Sequence, residues 1–254
     1  MNKLPKRLLL VCLCLFASSG HAIVKSPDLS IKPVAGSLSE AKRAYAEGDF
    51  AKVEKICEPL AEQGVSEAQF ILGSIYEAGI GVPQNYTEAV KWYRRAAEQG
   101  NTKAQSKLGA MYDIGIGVPQ DYTEVIKWWR LAAEQGDAFA QCNLAAKYDH
   151  GKVVPRDFKE AVKWYRLAAE QGNIFGQEKL AWKYLLGEGV TQDDVLAYMW
   201  LDIAASNDFT PGRKMAIHQR IQQRDAIARR MTADQIAKAR ELARQCTANK
   251  FKGC

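Results

Sequence analysis

The tetrapeptide Ala-Glu-Gln-Gly at residues 61–64 recurs at residues 97–100, 133–136 and 169–172, a step of 36 residues each time. Other positions keep the same step, and a large apolar residue stands at Ile56, Trp92, Trp128, Trp164 and Trp200. A fixed period of this length is typical of stacked structural repeats, in which each repeat buries its apolar face against its neighbours. We therefore expect one elongated array whose function depends on an extended surface.

Residues 67–102 show how one repeat is built. Apolar residues recur every four positions in its first half, which predicts a packing helix that ends at Gly79, where a left-handed cap needs no side chain. Gly73 lies within this helix, and its lack of a side chain allows the backbone of a neighbouring helix to approach closely at this position. Asn85 then caps a second helix, and Glu88 is expected to complete a capping box. The predicted fold class is all-α, built from two-helix repeats.

Five repeats are predicted over residues 38–210. The first is shortened, because its alignment with the others requires deletion of the five residues equivalent to 80–84. Residues 211–254 are predicted to form basic capping helices and a tail, with Thr232 as the cap of the last helix. These helices are expected to close the exposed end of the stack.

Four cysteines follow residue 22. Export would permit disulfides, and Cys246 and Cys254 bracket a short polar tail, so we predict a bond between them that closes the end of the chain. Cys57 occupies a position that aromatic residues fill in the following repeats, which favours a small buried thiol. Cys142 lies two repeats away on the other type of helix, and we do not expect these two cysteines to meet.

The first 22 residues do not share the repeat pattern. Three basic residues precede an unbroken apolar run at residues 8–17. The sequence GHA at residues 20–22 supplies small residues at the two positions that signal peptidase recognises before the cleavage site. The run is about half as long as a membrane span requires. We predict a signal peptide over residues 1–22, a linker over residues 23–37 and a periplasmic protein without a transmembrane segment, with secretion as the second choice.

Charge is distributed unevenly along the chain. Removal of residues 1–22 takes away three basic residues and no acids, which lowers the net charge from +6 to +3. Residues 211–254 carry a net +8, which leaves −5 for residues 23–210. The basic C-terminal segment could contact an acidic partner or a phospholipid surface weakly, and a solvated helical face is the simpler explanation.

Three motifs recur in order along the repeats: Ala-x3-Leu-Gly-x2-Tyr, Gly-x-Gly-Val-x2-Asp and Ala-x2-Trp-x3-Ala-Ala-x2-Gly. Their succession over residues 38–210 resembles the Sel1-like repeat family, a relative of the tetratricopeptide repeats, and residues 104–136 match best. In the fourth repeat Lys152-Val153 stands where the others have Ile-Gly or Glu-Gly, which predicts a stiffer loop. The resemblance implies a right-handed superhelical solenoid that binds other proteins, often at envelopes or in host contact. The end of the chain resembles that of exported bacterial members.

Two groups of exported relatives suggest more specific roles. Some carry two cysteines per repeat and are linked to penicillin binding or β-lactamase activity, but this chain lacks that cysteine framework. Others resemble immunity proteins that neutralise antibacterial effectors. We expect an exported protein–protein interaction module that binds a protein or peptide, with an immunity or inhibitor adaptor as its specific role. The alternatives are a cell-wall or β-lactam-directed hydrolase and a secreted host-contact factor.

Residues suited to catalysis or metal binding are few. Ser39 and Lys42 match the Ser-x-x-Lys spacing that places an amine beside a hydroxyl, but the accompanying Ser-Asp-Asn and Lys-Thr-Gly segments are absent. Only His150 and His218 follow residue 22, so neither a histidine metal site nor a Cys-His pair is indicated. Nucleic-acid binding is not expected of an acidic array whose aromatic residues recur at core positions. We predict no enzyme activity, no cofactor and no metal.

The resemblance implies that the first helix of each repeat lines the concave side of the array. Helical geometry places positions 67, 70, 71 and 74 on one stripe, which varies between repeats whereas the packing positions do not. Large rings on a groove are typical anchors for a partner, although they could instead fill gaps between helices, and solvated lysine is the default for the lysines. The predicted partner-binding residues are Phe70, Ile71, Lys103, Lys107, Phe139, Asn143, Phe175, Lys179 and Trp182.

Overall fold

The computed structural model describes residues 37–207 and 214–254, which form twelve α-helices and no strand. The helices are α1 Leu38–Glu47, α2 Phe50–Glu62, α3 Ser66–Ala78, α4 Tyr86–Glu98, α5 Thr102–Ile114, α6 Tyr122–Glu134, α7 Ala138–His150, α8 Phe158–Ala169, α9 Ile174–Leu186, α10 Asp194–Ser206, α11 Lys214–Ala228 and α12 Ala233–Ala248. The predicted signal peptide lies outside the described residues. Within them, no helix is both long enough and apolar enough to cross a bilayer.

The first ten helices form five hairpins, each made of a first helix (α1, α3, α5, α7 or α9) and a second helix (α2, α4, α6, α8 or α10). Each helix packs against the helices before and after it in the chain, and α5 also touches α7. The two last helices, α11 and α12, both pack on α10 and cover the C-terminal end of the array. The all-α solenoid of two-helix repeats is therefore confirmed.

Glycine allows the aromatic rings of the second helices to lie directly on the backbone of the first helices. A Cβ atom on Gly73 would lie 2.6 Å from Tyr93 Cδ1, and one on Gly109 would lie 2.4 Å from Trp129 Cδ1. Both distances are far below van der Waals contact, so only glycine fits. The close approach predicted at Gly73 is confirmed, and it sets how tightly the two helices of a repeat pack.

The helix ends follow the predicted caps with one correction. Gly79 ends α3 in a left-handed conformation with φ of 66°, and the backbone N–H of Glu88 donates to the Asn85 side chain at 3.1 Å. The predicted capping box at Asn85 is wrong in its second half, because the Asn85 backbone N–H donates to the Tyr76 carbonyl at 2.9 Å rather than to Glu88, which pairs with Lys91 at 2.5 Å. A complete capping box forms at Thr232, the predicted cap of the last helix.

A row of glutamine pairs, each with one buried member, runs along the array, and we call it the glutamine ladder. In each pair the Nε2 of a glutamine at the end of a second helix donates to the Oε1 of a buried glutamine in the preceding first helix. The pairs are Gln99 with Gln69 at 2.7 Å, Gln135 with Gln105 at 2.7 Å and Gln171 with Gln141 at 2.8 Å. The inner glutamine in turn donates to a backbone carbonyl of the second helix before it, as Gln105 does to Ala97 at 3.1 Å.

The glutamine ladder ends in the last repeat. Gln177 is fully buried and donates to the Ala169 carbonyl at 3.3 Å, but its Oε1 has no partner among the described residues. The residue that would donate to it is Asn207, which is one methylene shorter and whose side chain donates to the Ile203 carbonyl at 2.9 Å. The last repeat therefore leaves the buried Oε1 of Gln177 unsatisfied, which lowers the free energy of unfolding.

The loops between the paired helices rest on the preceding repeat. Gly117 has φ of 73°, and a Cβ atom there would lie 2.4 Å from the Tyr86 carbonyl oxygen. In the fourth repeat the equivalent residue is Val153, which is not among the described residues with positive φ. Val153 therefore does not share the left-handed backbone conformation of Gly117.

The C-terminal tail is tied to the last helix. A disulfide joins Cys246 to Cys254, with 5.5 Å between their Cα atoms. Phe251 packs against the main core, and its ring lies 3.0 Å from the Cβ position of Gly172 in the turn after α8. Cys57 and Cys142 are both buried and free.

Candidate partner-binding groove

The predicted stripe lines an open cleft on the first helices. Phe70, Lys103, Lys107 and Phe139 come together around a cavity of about 890 Å³ between α3, α5 and α7. Four of the nine predicted residues therefore share one site. We call this cavity the apolar cleft.

Exposed apolar side chains form much of the apolar cleft. Ile114 is 67% exposed, Phe139 is 55% exposed and Tyr45 is 47% exposed. Phe139 therefore does not fill a gap between neighbouring helices, which was the alternative interpretation. Large apolar groups clustered in a concave surface are typical of a site that a partner covers.

Two of these residues were missed by sequence reasoning. Tyr45 belongs to the shortened first repeat, whose α1 ends beside α3. Ile114 belongs to the column Ala78, Ile114, His150 and Leu186, which continues the predicted stripe by one further helical turn and also varies between repeats. Extension of the stripe from position 74 to position 78 would have found it.

Not every predicted residue is available to a partner. Ile71 is only 8% exposed and packs in the core formed by α1, α2 and α3. Phe70 is half-buried, with its ring centroid 5.7 Å from that of Tyr93, so it forms a wall of the apolar cleft while also supporting the repeat. Because Ile71 belongs to this core, we omit it from the contact surface.

Asn143 lies in a second, smaller cavity of about 250 Å³, which we call the basic cavity. Its lining includes Asp113 on α5, Lys147 and His150 on α7 and Lys152 in the loop before α8, and Asp113 pairs with Lys147 at 2.5 Å. The helices α5 and α7 contribute lining residues to both the apolar cleft and the basic cavity.

The remaining predicted residues lie on α9. Phe175 is 46% exposed, and the Nζ of Lys179 lies 5.1 Å from the centroid of its ring. Trp182 is half-buried on the same helix. The structure does not bring these three side chains into the apolar cleft with Phe139.

Ion pairs between successive first helices run along this surface, and we call them the acid–lysine ladder. Each pair joins a carboxylate near the end of one first helix to a lysine of the next. The pairs are Glu77 with Lys107 at 2.9 Å, Asp113 with Lys147 at 2.5 Å, and Asp149 with Lys183. Lys183 is buried and also bonds to Glu188 at 2.6 Å, so its charge is compensated.

Glu77, which lines the apolar cleft, is held by two partners. Tyr93 donates its hydroxyl hydrogen bond to Glu77 at 2.5 Å. Burial and this bond together raise the pKa of Tyr93 above its ordinary value. Glu77 therefore accepts from both Tyr93 and Lys107, which fixes its carboxylate in place.

The Ser-x-x-Lys segment does not form a nucleophile pair. Ser39 Oγ lies 2.7 Å from Ser37 Oγ, and Lys42 Nζ pairs with Glu67 at 3.3 Å. The described residues contain no group of three or more His, Cys, Asp or Glu side chains that could hold a metal ion.

Comparison with known proteins identifies the repeat. Residues 66–101, 102–137, 138–173 and 174–209 each match the Sel1 repeat. A Sel1 repeat protein from Oxalobacter formigenes is 28% identical, with a TM-score of 0.67, and the match covers 82% of this chain and 87% of that one. A protective antigen present in uropathogenic Escherichia coli strains, with an SLR fold, is 31% identical with a TM-score of 0.55; the match covers 84% of this chain and 53% of that one. A search of curated proteins gave no match.

Proposed function

The chain belongs to the Sel1 repeat family, whose members are protein-interaction modules, and we propose that it binds a protein or peptide partner at the apolar cleft. Solenoids of this type are typically scaffolds without enzymatic activity. We further propose that the chain itself has no catalytic role.

One observation carries this proposal. The apolar cleft exposes Ile114 and Phe139 by 67% and 55%, at positions that differ from repeat to repeat while the packing positions stay the same. Burial of apolar surface is worth about 25 cal/mol for each Å² removed from water, so a partner that covers these side chains gains binding free energy. Positions that do not pack one repeat on the next are free to differ in sequence, and contact with a partner would explain why large apolar side chains are exposed at these positions.

The location that we propose is outside the cytoplasm, in the periplasm or in the medium. The basic and apolar pattern of residues 1–22 supports export, and the Cys246–Cys254 disulfide is typical of an oxidising compartment. The likeness to a protective antigen of uropathogenic E. coli agrees with this location. An immunity or inhibitor adaptor is the specific role that we propose for such a protein.

The test compares two double variants with the wild type as baits in affinity purification from an envelope extract of the source organism. Ile114→Ala/Phe139→Ala removes the two most exposed apolar side chains of the apolar cleft. Leu131→Ala/Leu167→Ala is the matched control, because these leucines are 39% and 38% exposed on the second helices α6 and α8.

We expect the wild type and the leucine variant to enrich the same protein, and the cleft variant to lose it. Two exposed apolar truncations should weaken binding by about 1–2 kcal/mol each if the side chains are anchors. Equal recovery of that protein by all three baits would show that the partner binds elsewhere.

A further inference from the structure

We propose that the partner presents an acidic peptide segment that also carries a bulky apolar side chain. This inference rests on the proposed function, because it assigns the chemistry of the segment that occupies the apolar cleft and the basic cavity. It depends on which charged groups along the first helices already have partners within the chain.

The carboxylates along the first helices already form ion pairs or hydrogen bonds with other groups of the protein. Those of Glu77, Asp113 and Asp149 belong to the acid–lysine ladder. Asp137 in the apolar cleft accepts from Ser106 Oγ at 2.8 Å and from the backbone N–H of Ala140 at 2.7 Å. A basic partner would have to break one of these interactions to find a counter-charge.

Three lysines on the same surface are not committed to a carboxylate. Lys103 Nζ lies 6.0 Å from the Phe70 ring centroid, and Lys179 Nζ lies 5.1 Å from that of Phe175. Lys152 lines the basic cavity. None of the three forms a salt bridge in the part of the chain that the structure describes. The uncompensated charge of this surface is therefore positive.

The positive charge of this surface is opposite in sign to the net charge of the array as a whole. Residues 23–210 carry a net charge of −5, so the lysines do not reflect a generally basic protein. Complementary charge across an interface speeds encounter and excludes wrong partners. A segment with Asp or Glu side chains is complementary to Lys103 and Lys152, and a basic segment is repelled by them.

The two cavities differ in chemistry. The apolar cleft accepts a large apolar side chain, and the basic cavity accepts a carboxylate beside Lys152. A segment that occupies both therefore carries an acidic residue as well as a bulky apolar one.

Random 12-residue peptides displayed on phage and selected on the purified protein test this inference. The consensus peptide is then synthesised with a fluorophore, and its Kd is measured by fluorescence polarisation. Lys103→Glu/Lys152→Glu reverses two uncommitted lysines. Lys55→Glu/Lys159→Glu is the matched control, since these lysines are exposed on the second helices α2 and α8 and the net charge changes equally. Circular dichroism verifies that each variant is folded.

The expected consensus pairs Asp or Glu with Phe, Trp, Leu or Ile. Its Kd should rise at least tenfold in Lys103→Glu/Lys152→Glu, stay within twofold in the control, and rise with salt concentration. A consensus without acids, an unchanged Kd in the lysine variant, or a library that yields no binder would overturn the inference. Lysine-dependent binding to phosphatidylglycerol vesicles without peptide enrichment would also overturn it.

The Ile114→Ala/Phe139→Ala variant separates this inference from the proposed function. If it loses the selected peptide while Lys103→Glu/Lys152→Glu does not, the apolar cleft binds a segment that is not acidic and only the charge assignment fails. If neither variant loses the peptide, the proposed function fails as well.

Discussion

Replacing Gln135 with methionine should destabilise the array by removing one donor of the glutamine ladder. Gln135 Nε2 donates to Gln105 Oε1 at 2.7 Å, and Gln105 is only 3% exposed. Methionine keeps the length and the helix propensity of glutamine but cannot donate. The Gln105 Oε1 would then be a buried acceptor without a donor.

The expected loss follows from the burial of that acceptor. A buried polar group that loses its partner costs about 1–3 kcal/mol, and the exposed Gln135 side chain itself contributes little. For a chain of this size each kcal/mol lowers Tm by roughly 2–4 °C. Urea and thermal unfolding followed by far-ultraviolet circular dichroism measure both quantities, with the full transition recorded because repeat arrays can unfold in more than one step.

Asn207→Gln provides the opposite test at the end of the same ladder. The longer side chain should reach the unsatisfied Oε1 of Gln177 and raise the free energy of unfolding by about 0.5–1.5 kcal/mol. If Gln135→Met changes stability by less than about 0.5 kcal/mol, the value typical of a surface substitution, the ladder is not a stabilising element.

Three further substitutions or treatments test other parts of the structure. Reduction of the Cys246–Cys254 disulfide should cost roughly 2–3 kcal/mol, because it frees a short loop in the unfolded chain; denaturation with and without dithiothreitol measures this, and Cys254→Ser should not respond to the reductant. Gly117→Ala should destabilise more than Gly136→Ala, since both have positive φ but only the former has a backbone oxygen 2.4 Å from the added Cβ; equal losses would contradict the close loop contact. Burial raises the pKa of the Cys142 thiol to about 12 from 9.0, so the thiol should react slowly with iodoacetamide at pH about 8 in the folded protein and rapidly in urea. Because the thiol of the unfolded chain ionises at lower pH, its contribution to stability is lost as pH rises from 9.0 towards about 12. Equal labelling rates in the folded and unfolded protein would refute the burial.

The sequence predicted the fold well because comparison of the repeats with one another identifies the packing positions. Columns that recur every 36 residues are those that every repeat needs, and they gave the helices, the glycine at 73 and the caps. Repetition does not reveal which atoms bond. Gln135 lies in the recurring tetrapeptide, yet its recurrence alone does not distinguish a surface glutamine from a donor to a buried one. The capping box at Asn85 failed for a related reason, because the Asn85 backbone N–H donates to the Tyr76 carbonyl, a bond that the sequence does not reveal.

The candidate site was predicted in part. The variable stripe identified Phe139 and Lys103, because helical geometry fixes which positions share a face. It misplaced Ile71, which packs in the core formed by α1, α2 and α3, and the apolar character of this residue, where later repeats have Lys107 and Asn143, was the available signal. The basic cavity could not be foreseen, since it brings together residues of α5, α6, α7 and the loop before α8 whose tertiary placement the repeat pattern does not specify.

Site-specific photo-crosslinking tests most directly whether the first helices bind the partner. The photoreactive residue p-benzoylphenylalanine replaces Phe139 in the apolar cleft in one protein and Leu131 on the second helix α6 in the other, and both are irradiated in the source organism. We predict a covalent adduct with one protein from position 139 and none from position 131. An adduct with that protein from position 131 alone would contradict a binding surface on the first helices.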